Sequence, residues 1–459
     1  SSGLPAAFDA ARGAVGDDMA YTFTRFYVDA ADTIDRAEFI ERLRALAFNP
    51  IDPASEDGSS SGWCAFGGTY EPGVGDPNYG DLVAFGLRTD TLRIPAARLK
   101  HEVEIERRRV MDERKLDSLN HYQVAEIKAD VIARLRQTTP PSISHVPVVL
   151  DLEAGVLWAF TASEAALETI DEMFCRTAER ALTRETVYTR LRRLGVSAGV
   201  DGLGTFSAIA CDPDGDGGDD GDASQGFDLL DRVLRCTHLA PEFMLWLWWR
   251  SERDDGMFAL GGELGDVEVW QDDRMVLASS AVNAQTDTFR GGHPATSAEA
   301  REALRLGKLP IQAKVGVVRG AQRWDATIKA HDLGLSGVKI PAVLSREDDE
   351  LLAERMLLLG QLCAVLDALM VAFVRERKAA DWPATHEAIR AWAASDYEAP
   401  VAEDVRELLK GVPVTTETQG PRRLETAARC DGECSVRTGR FCADCVRQGP
   451  RVVPVGRSA

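Results

Sequence analysis

Short runs of β-branched and aromatic residues alternate along the chain with longer amphipathic stretches. Tyr21-Thr-Phe-Thr-Arg-Phe-Tyr-Val28 has the residues that suit a pleated, half-buried surface and predicts a strand. Residues 37–48 follow with helical spacing, Phe39, Leu43 and Leu46 falling on one face. A Ser/Gly/Asp-rich loop is expected over 50–62, and short strands over 81–88 and 91–94. Residues 95–117 and 121–137 read as two charged helices, the second ended by Pro140-Pro141. Residues 146–152 and 156–160 flank Glu153-Ala-Gly155 as a hairpin. A helix over 161–181 is expected to open on Thr161 or Ser163.

The pattern then breaks at Asp212-Pro-Asp-Gly-Asp-Gly-Gly-Asp-Asp-Gly-Asp222, where no core can form. A helix near 226–234 precedes the aromatic block Phe243-Met-Leu-Trp-Leu-Trp-Trp249. Strands are expected within 257–277, a short helix over 297–306, and strands over 311–318 and 323–330. Ser345-Arg-Glu-Asp348 resembles a capping box at the start of a long helix reaching Arg377. This order of elements predicts an α+β protein, with antiparallel sheets flanked by long helices. Five segments are expected: a flexible tail (1–18), an α+β region (19–200), an acidic insertion (201–225), a second α+β region (226–395), and a linker with a cysteine-rich tail (396–459).

Composition adds a constraint on partners. The 459 residues carry a net charge of −20, which by itself argues against nucleic acid. The charge is segregated, however, and binding depends on where cations sit rather than on their total. Residues 88–136 hold twelve basic groups against nine acidic, 176–193 six against two, and 301–339 eight against three. Residues 201–225 hold seven Asp and no cation. Five of the nine cysteines are scattered in apolar contexts, as reduced cysteines of a cytosolic protein would be. The opening Ser1-Ser2-Gly3-Leu4-Pro5 lacks the basic and apolar regions of a secretory signal. The longest apolar stretch, 356–374, is interrupted by Gly360, Gln361 and Asp367, and no membrane span is expected.

Candidate chemistry is sparse. Arg107-Arg108-Arg109 is the sharpest basic cluster, although helical geometry turns successive residues about 100° apart, so the three cannot face one phosphate strand together. Glu102, Glu104 and Glu106 stand ready to neutralise part of it. Arg114, Lys115 and Lys128 extend the basic stretch, and Lys314, Arg319, Arg323 and Lys329 surround a predicted hairpin at Gly320. The alternative for both groups is an ordinary solvated face with internal ion pairs. Trp246, Trp248 and Trp249 have the chemistry to stack on bases, but so dense an apolar run fits a core or an interface better. Asp212, Asp214 and Asp216 resemble the start of a calcium loop, but the twelfth position is Ala223 where a glutamate is needed, so a flexible acidic loop is expected. Cys430, Cys434, Cys442 and Cys445 have spacing compatible with a small tetrahedral zinc site, or alternatively form a tail of free thiols. Walker and zincin motifs are absent, and no catalytic residue is assigned.

Several motifs together resemble the RdgC family of bacterial recombination-associated proteins. They are the opening strand with Phe39-Ile-Glu-Arg-Leu-Arg-Ala-Leu-Ala-Phe-Asn-Pro50; Gly62-Trp63; Ile94-Pro95 before a charged helix; Arg114-Lys115-Leu116 with Lys128-Ala-Asp-Val-Ile132; Asp151 with Gly155-Val-Leu157; and the long helix after Asp348. The similarity covers residues 20–180 and, in outline, 226–377. Where that family has Leu-Pro-Arg-Ala-Phe, this chain has Arg136-Gln-Thr-Thr-Pro140. The resemblance implies a ring-forming homodimer that passes duplex DNA through a positively lined hole with little sequence preference. It further implies antagonism of RecA-type recombinases, a cytoplasmic, nucleoid-associated location, no catalysis and no required cofactor. The Arg and Lys positions named above are then the expected DNA contacts. A Mg²⁺-dependent exonuclease and a protein-interaction module using the cysteine-rich tail are the competing functions.

Overall fold

A computed structural model describes residues 20–52, 58–68, 73–205, 229–253, 255–279, 285–291, 297–330, 333–345 and 347–395. The Asp-rich segment and the four C-terminal cysteines lie outside these described residues. The fold is α+β, built on one large antiparallel sheet whose main path runs β10-β9-β11-β12-β13-β1-β6-β5-β4-β2. The strands on that path are β1 (Tyr21–Val28), β2 (Ser59–Cys64), β4 (Leu82–Thr91), β5 (Ser142–Asp151), β6 (Val156–Ala159), β9 (Gly265–Ala278), β10 (Thr286–Arg290), β11 (Leu309–Arg319), β12 (Gln322–Lys329) and β13 (Leu335–Lys339). Short strands β3 (Asn78–Tyr79), β7 (Leu182–Arg184) and β8 (Met257–Gly261) join β4, β1 and β9.

Strand β1 joins the two halves of the sheet. Thr24–Tyr27 pair with β6 on one side. On the other side Tyr21 and Phe23 pair with β13, and Phe26–Val28 pair with β7. Alternation along β1 then divides the core. Phe26 and Val28 face one cluster, where Phe39, Ile40 and Leu43 of α1 (Arg36–Ala45) pack with Ile170 and Phe174 of α4 (Glu164–Ala178). Tyr21, Phe23 and Tyr27 face the larger cluster, which extends under β9, β11 and β12. There it meets α6 (Leu229–Arg235), α7 (Leu239–Arg253), α8 (Ala298–Arg305), α9 (Asp348–Arg377) and α10 (Trp382–Ala394).

The aromatic block is thus core. Phe243 and Trp246–Trp249 are buried on α7. Their polar edges are satisfied, Trp246 Nε1 donating to Glu376 Oε2 at 2.9 Å and Trp248 Nε1 to Glu252 Oε1 at 2.6 Å. Gly62 is required by packing, because a Cβ there would lie 2.4 Å from Phe48 Cα. The expected capping box at the start of α9 is replaced by another device. Glu347 is the N-cap without a side-chain bond, and the Glu354 carboxylate accepts the N–H groups of Leu344 and Ser345.

A buried ionic cluster lies where β1, the β7–α5 turn and α9 meet, α5 being Val187–Arg193. Arg25 Nε donates to Glu185 Oε2 at 2.8 Å, and Tyr27 Oη donates to Glu185 Oε1 at 2.9 Å. Arg190 Nε sits 3.6 Å from Glu185 and also donates to Asp367. Burial pushes the Glu185 carboxyl upward, but Arg25 and Arg190 reverse this and hold it below its ordinary range. Burial pushes the neighbouring Cys363 thiol up to about 11, so it stays protonated at neutral pH.

Candidate nucleic-acid interface

Helices α2 (Ala96–Arg114) and α3 (His121–Thr138) form an arm with its own small seam, separate from the two cores. Ile127, Val131 and Leu135 pack there with Leu99, Val103 and Val110. The spacing of these residues gives each helix one apolar stripe, and every α2 residue stays at least partly exposed. Asn120 caps α3 through a reciprocal bond with Gln123, and Lys115 ends α2 at φ 49°.

The Arg107–Arg109 triad is tied down by its own helix. Arg107 and Arg108 approach Glu104 at 3.5 and 3.1 Å. Arg109 binds Glu106 and, at 2.9 Å, Glu113. The hydrogen bond to Glu106 raises the Arg109 pKa and lowers that of Glu106. From α3, Arg134 reaches Glu102 at 3.3 Å. Arg114, Lys115 and Lys128, by contrast, are exposed and form no ion pair among the described residues. Arg98 and Lys100 share this condition, although the sequence did not single them out as contacts.

The second basic group lies on the sheet. Ala313, Val315, Val317, Trp324, Ala326 and Ile328 face the core. Lys314, Arg323 and Lys329 alternate onto the opposite face, which stays exposed or half-exposed. Acids accompany them there. Lys314 Nζ lies 2.8 Å from Asp273 and 3.2 Å from Asp272, and its pKa is raised chiefly by the Asp273 bond. Arg323 pairs with Asp325 at 3.1 Å and lies over the Trp270 ring at 5.1 Å. Trp270 covers Gly316, where a Cβ would fall 2.2 Å from the ring. Arg319 donates to Gln322 at 3.0 Å near the Trp324 ring. Lys329 pairs in register with Gln312 and has no ion pair among the described residues.

The structure therefore separates two basic groups that the sequence had grouped only by charge. The arm offers Arg114, Lys115 and Lys128 without a carboxylate partner among the described residues, whereas the sheet face is a mixed-charge surface. No protein-family model matches the chain, and no curated protein matches it.

Proposed function

We propose that this protein binds duplex DNA without reading its sequence, using the α2–α3 arm, and so limits the access of a RecA-type recombinase to DNA. The observation that supports this best is the set of exposed cations Arg98, Lys100, Arg114, Lys115 and Lys128, without an ion pair among the described residues, on an arm outside the main cores. Phosphate neutralisation requires such groups, and it releases counterions. The paired triad still contributes, because exposed ion pairs are worth only about 0–1 kcal/mol and a phosphate can displace the glutamate. The acidic remainder of the chain opposes indiscriminate adhesion. The recombinase role and the homodimer come from the RdgC resemblance.

Anisotropy of labelled random-sequence duplex, titrated across salt, tests the proposal. Arg114→Glu, Lys115→Glu and Lys128→Glu together should weaken binding to all sequences equally. They should also lower the slope of log affinity against log salt by about 3, near 0.9 per lost phosphate contact. An unchanged slope removes the arm from the interface, and no retention of DNA at low salt rejects the function. Under the same proposal Cys430, Cys434, Cys442 and Cys445 form a separable zinc knuckle.

A further inference from the structure

Helix α9 is apolar almost all round. Within Glu350–Arg377 an 18-residue window has a mean hydropathy of 2.3, yet only 56% of that window is buried within the protein. A helix hydrophobic on every side normally has every side covered. The exposed and half-buried positions concentrate on one stripe. Glu350, Leu357, Ala364, Val371 and Lys378 recur every seven residues, and Ala353, Gly360 and Asp367 interleave with them. This is the spacing of a helix–helix seam. Leu357 is 60% exposed. One half of the stripe is sunken. Ala364, Ala368, Val371 and Ala372 join Leu194 and Leu260 in lining a groove of about 450 Å³, with Asp367 and Arg375 at its edge.

We infer that this stripe is the surface on which a second copy of the chain docks, two α9 helices packing antiparallel about a two-fold axis at Ala364. Self-complementarity selects this occupant. Positions equidistant from Ala364 meet across such an axis, so each pair occurs twice. The protruding Leu357 meets the partner's Val371 and enters the sunken half of the partner's stripe. Gly360 meets the partner's Ala368, and these small residues allow close approach of the backbones. Gln361 comes opposite the partner's Asp367, where its amide can donate to the carboxylate oxygen that Arg190 leaves free. At the ends Glu350 meets the partner's Lys378, so opposite charges lie together. Neither Glu350 nor Lys378 has an ion pair among the described residues, Lys378 Nζ donating to the Ala198 carbonyl at 2.6 Å. Antiparallel packing also opposes the two helix dipoles. The surface gives an interface to the homodimer of the functional reading, but its test does not involve DNA.

Sedimentation equilibrium of the full chain at micromolar concentration should give twice the monomer mass. Ala364→Arg places two guanidiniums on the axis and should weaken association by about a hundredfold or more. Leu357→Glu should do the same, with circular dichroism unchanged. Ala364→Cys, which keeps the residue small, should form an intermolecular disulfide at that position under mild oxidation, because residues on the axis lie within bonding range. Peptide mass mapping distinguishes this bridge from those of the native cysteines. A monomeric wild type overturns the inference. So does a dimer insensitive to both variants and uncrosslinked at position 364. A monomer that floats with phosphatidylcholine vesicles also overturns it, and assigns the stripe to lipid. Loss of DNA binding with dimerisation intact would reject only the functional reading.

Discussion

Replacing Glu185 by glutamine keeps the side-chain shape and removes the charge that separates Arg25 from Arg190. The Arg25 and Arg190 side chains are 9% and 4% exposed. Breaking a buried pair from one side costs about 3–5 kcal/mol, because the remaining charge is left uncompensated. Asp367 moderates the loss, being bonded to Arg190 and 4.0 Å from Arg25. The expected cost is therefore at the lower end, about 3 kcal/mol. The compact unit Ser1–Glu398 should unfold with an entropy of roughly 0.8 kcal/mol/K, taking about 2.1 cal/mol/K per residue. The melting midpoint should then fall by about 3–4 °C in calorimetry. The informative control replaces Arg25→Met, Tyr27→Phe and Glu185→Leu together. This leaves the Arg190–Asp367 pair in place and should return stability to within about 1 kcal/mol of wild type. If Glu185→Gln shifts the midpoint by less than about 1 °C, or the triple variant is as unstable as the single one, the cluster does not act as a closed charge network.

Burial holds both His145 and His238 below their ordinary 6.5. The unfolded chain therefore takes up these protons first, and stability present above pH 6.5 should decline as pH falls below it. Each histidine contributes at most about 1.4 kcal/mol per pH unit, roughly halved for its partial exposure. A melting midpoint that stays flat between pH 7 and 5 would contradict the burial argument. Purified, reduced protein should carry about one equivalent of zinc, and truncation after residue 420 should abolish it with little effect on the melting of the body. Less than about one-tenth equivalent in the intact chain would reject the cysteine knuckle.

Local elements were legible wherever one residue pattern dominated. The first strand, the arm helices, the 142–159 hairpin and α9 all lie close to their expected bounds, since each combines a clear period with a strong stop. The expected strands at 81–88 and 91–94 are instead one strand, Leu82–Thr91. Arg88 accounts for the false break: it pairs in the chain with Asp90, whose burial is hidden in a polar sequence. Short β7 and β13 were missed because their pairing partner, β1, lies far away in sequence. Among the candidate contacts, the pairing of the triad was legible, since acids stand three and four residues away from it. Lys128 has Val124, Ala125, Val131 and Ile132 at those positions, so no partner on its own helix is expected. The Arg25–Glu185–Arg190–Asp367 cluster could not be read from the sequence, because its members come from distant segments.

The shared edge of β1 also has a consequence during synthesis. Thr22 and Gly337, hydrogen-bonded across the β1–β13 junction, are 315 residues apart. At about 5–20 residues per second, a ribosome takes roughly 15–60 s to deliver the second after the first. Through that interval the nascent N-terminal half has an open strand edge at Tyr21 and Phe23, and these residues with Tyr27 lack the core partners that β11, β12 and α9 later supply. Unpaired edges of this kind template association between chains. The growing polypeptide therefore passes through a long, aggregation-exposed stage, and holding factors at the ribosome should raise the yield of folded protein more than any change to the finished surface.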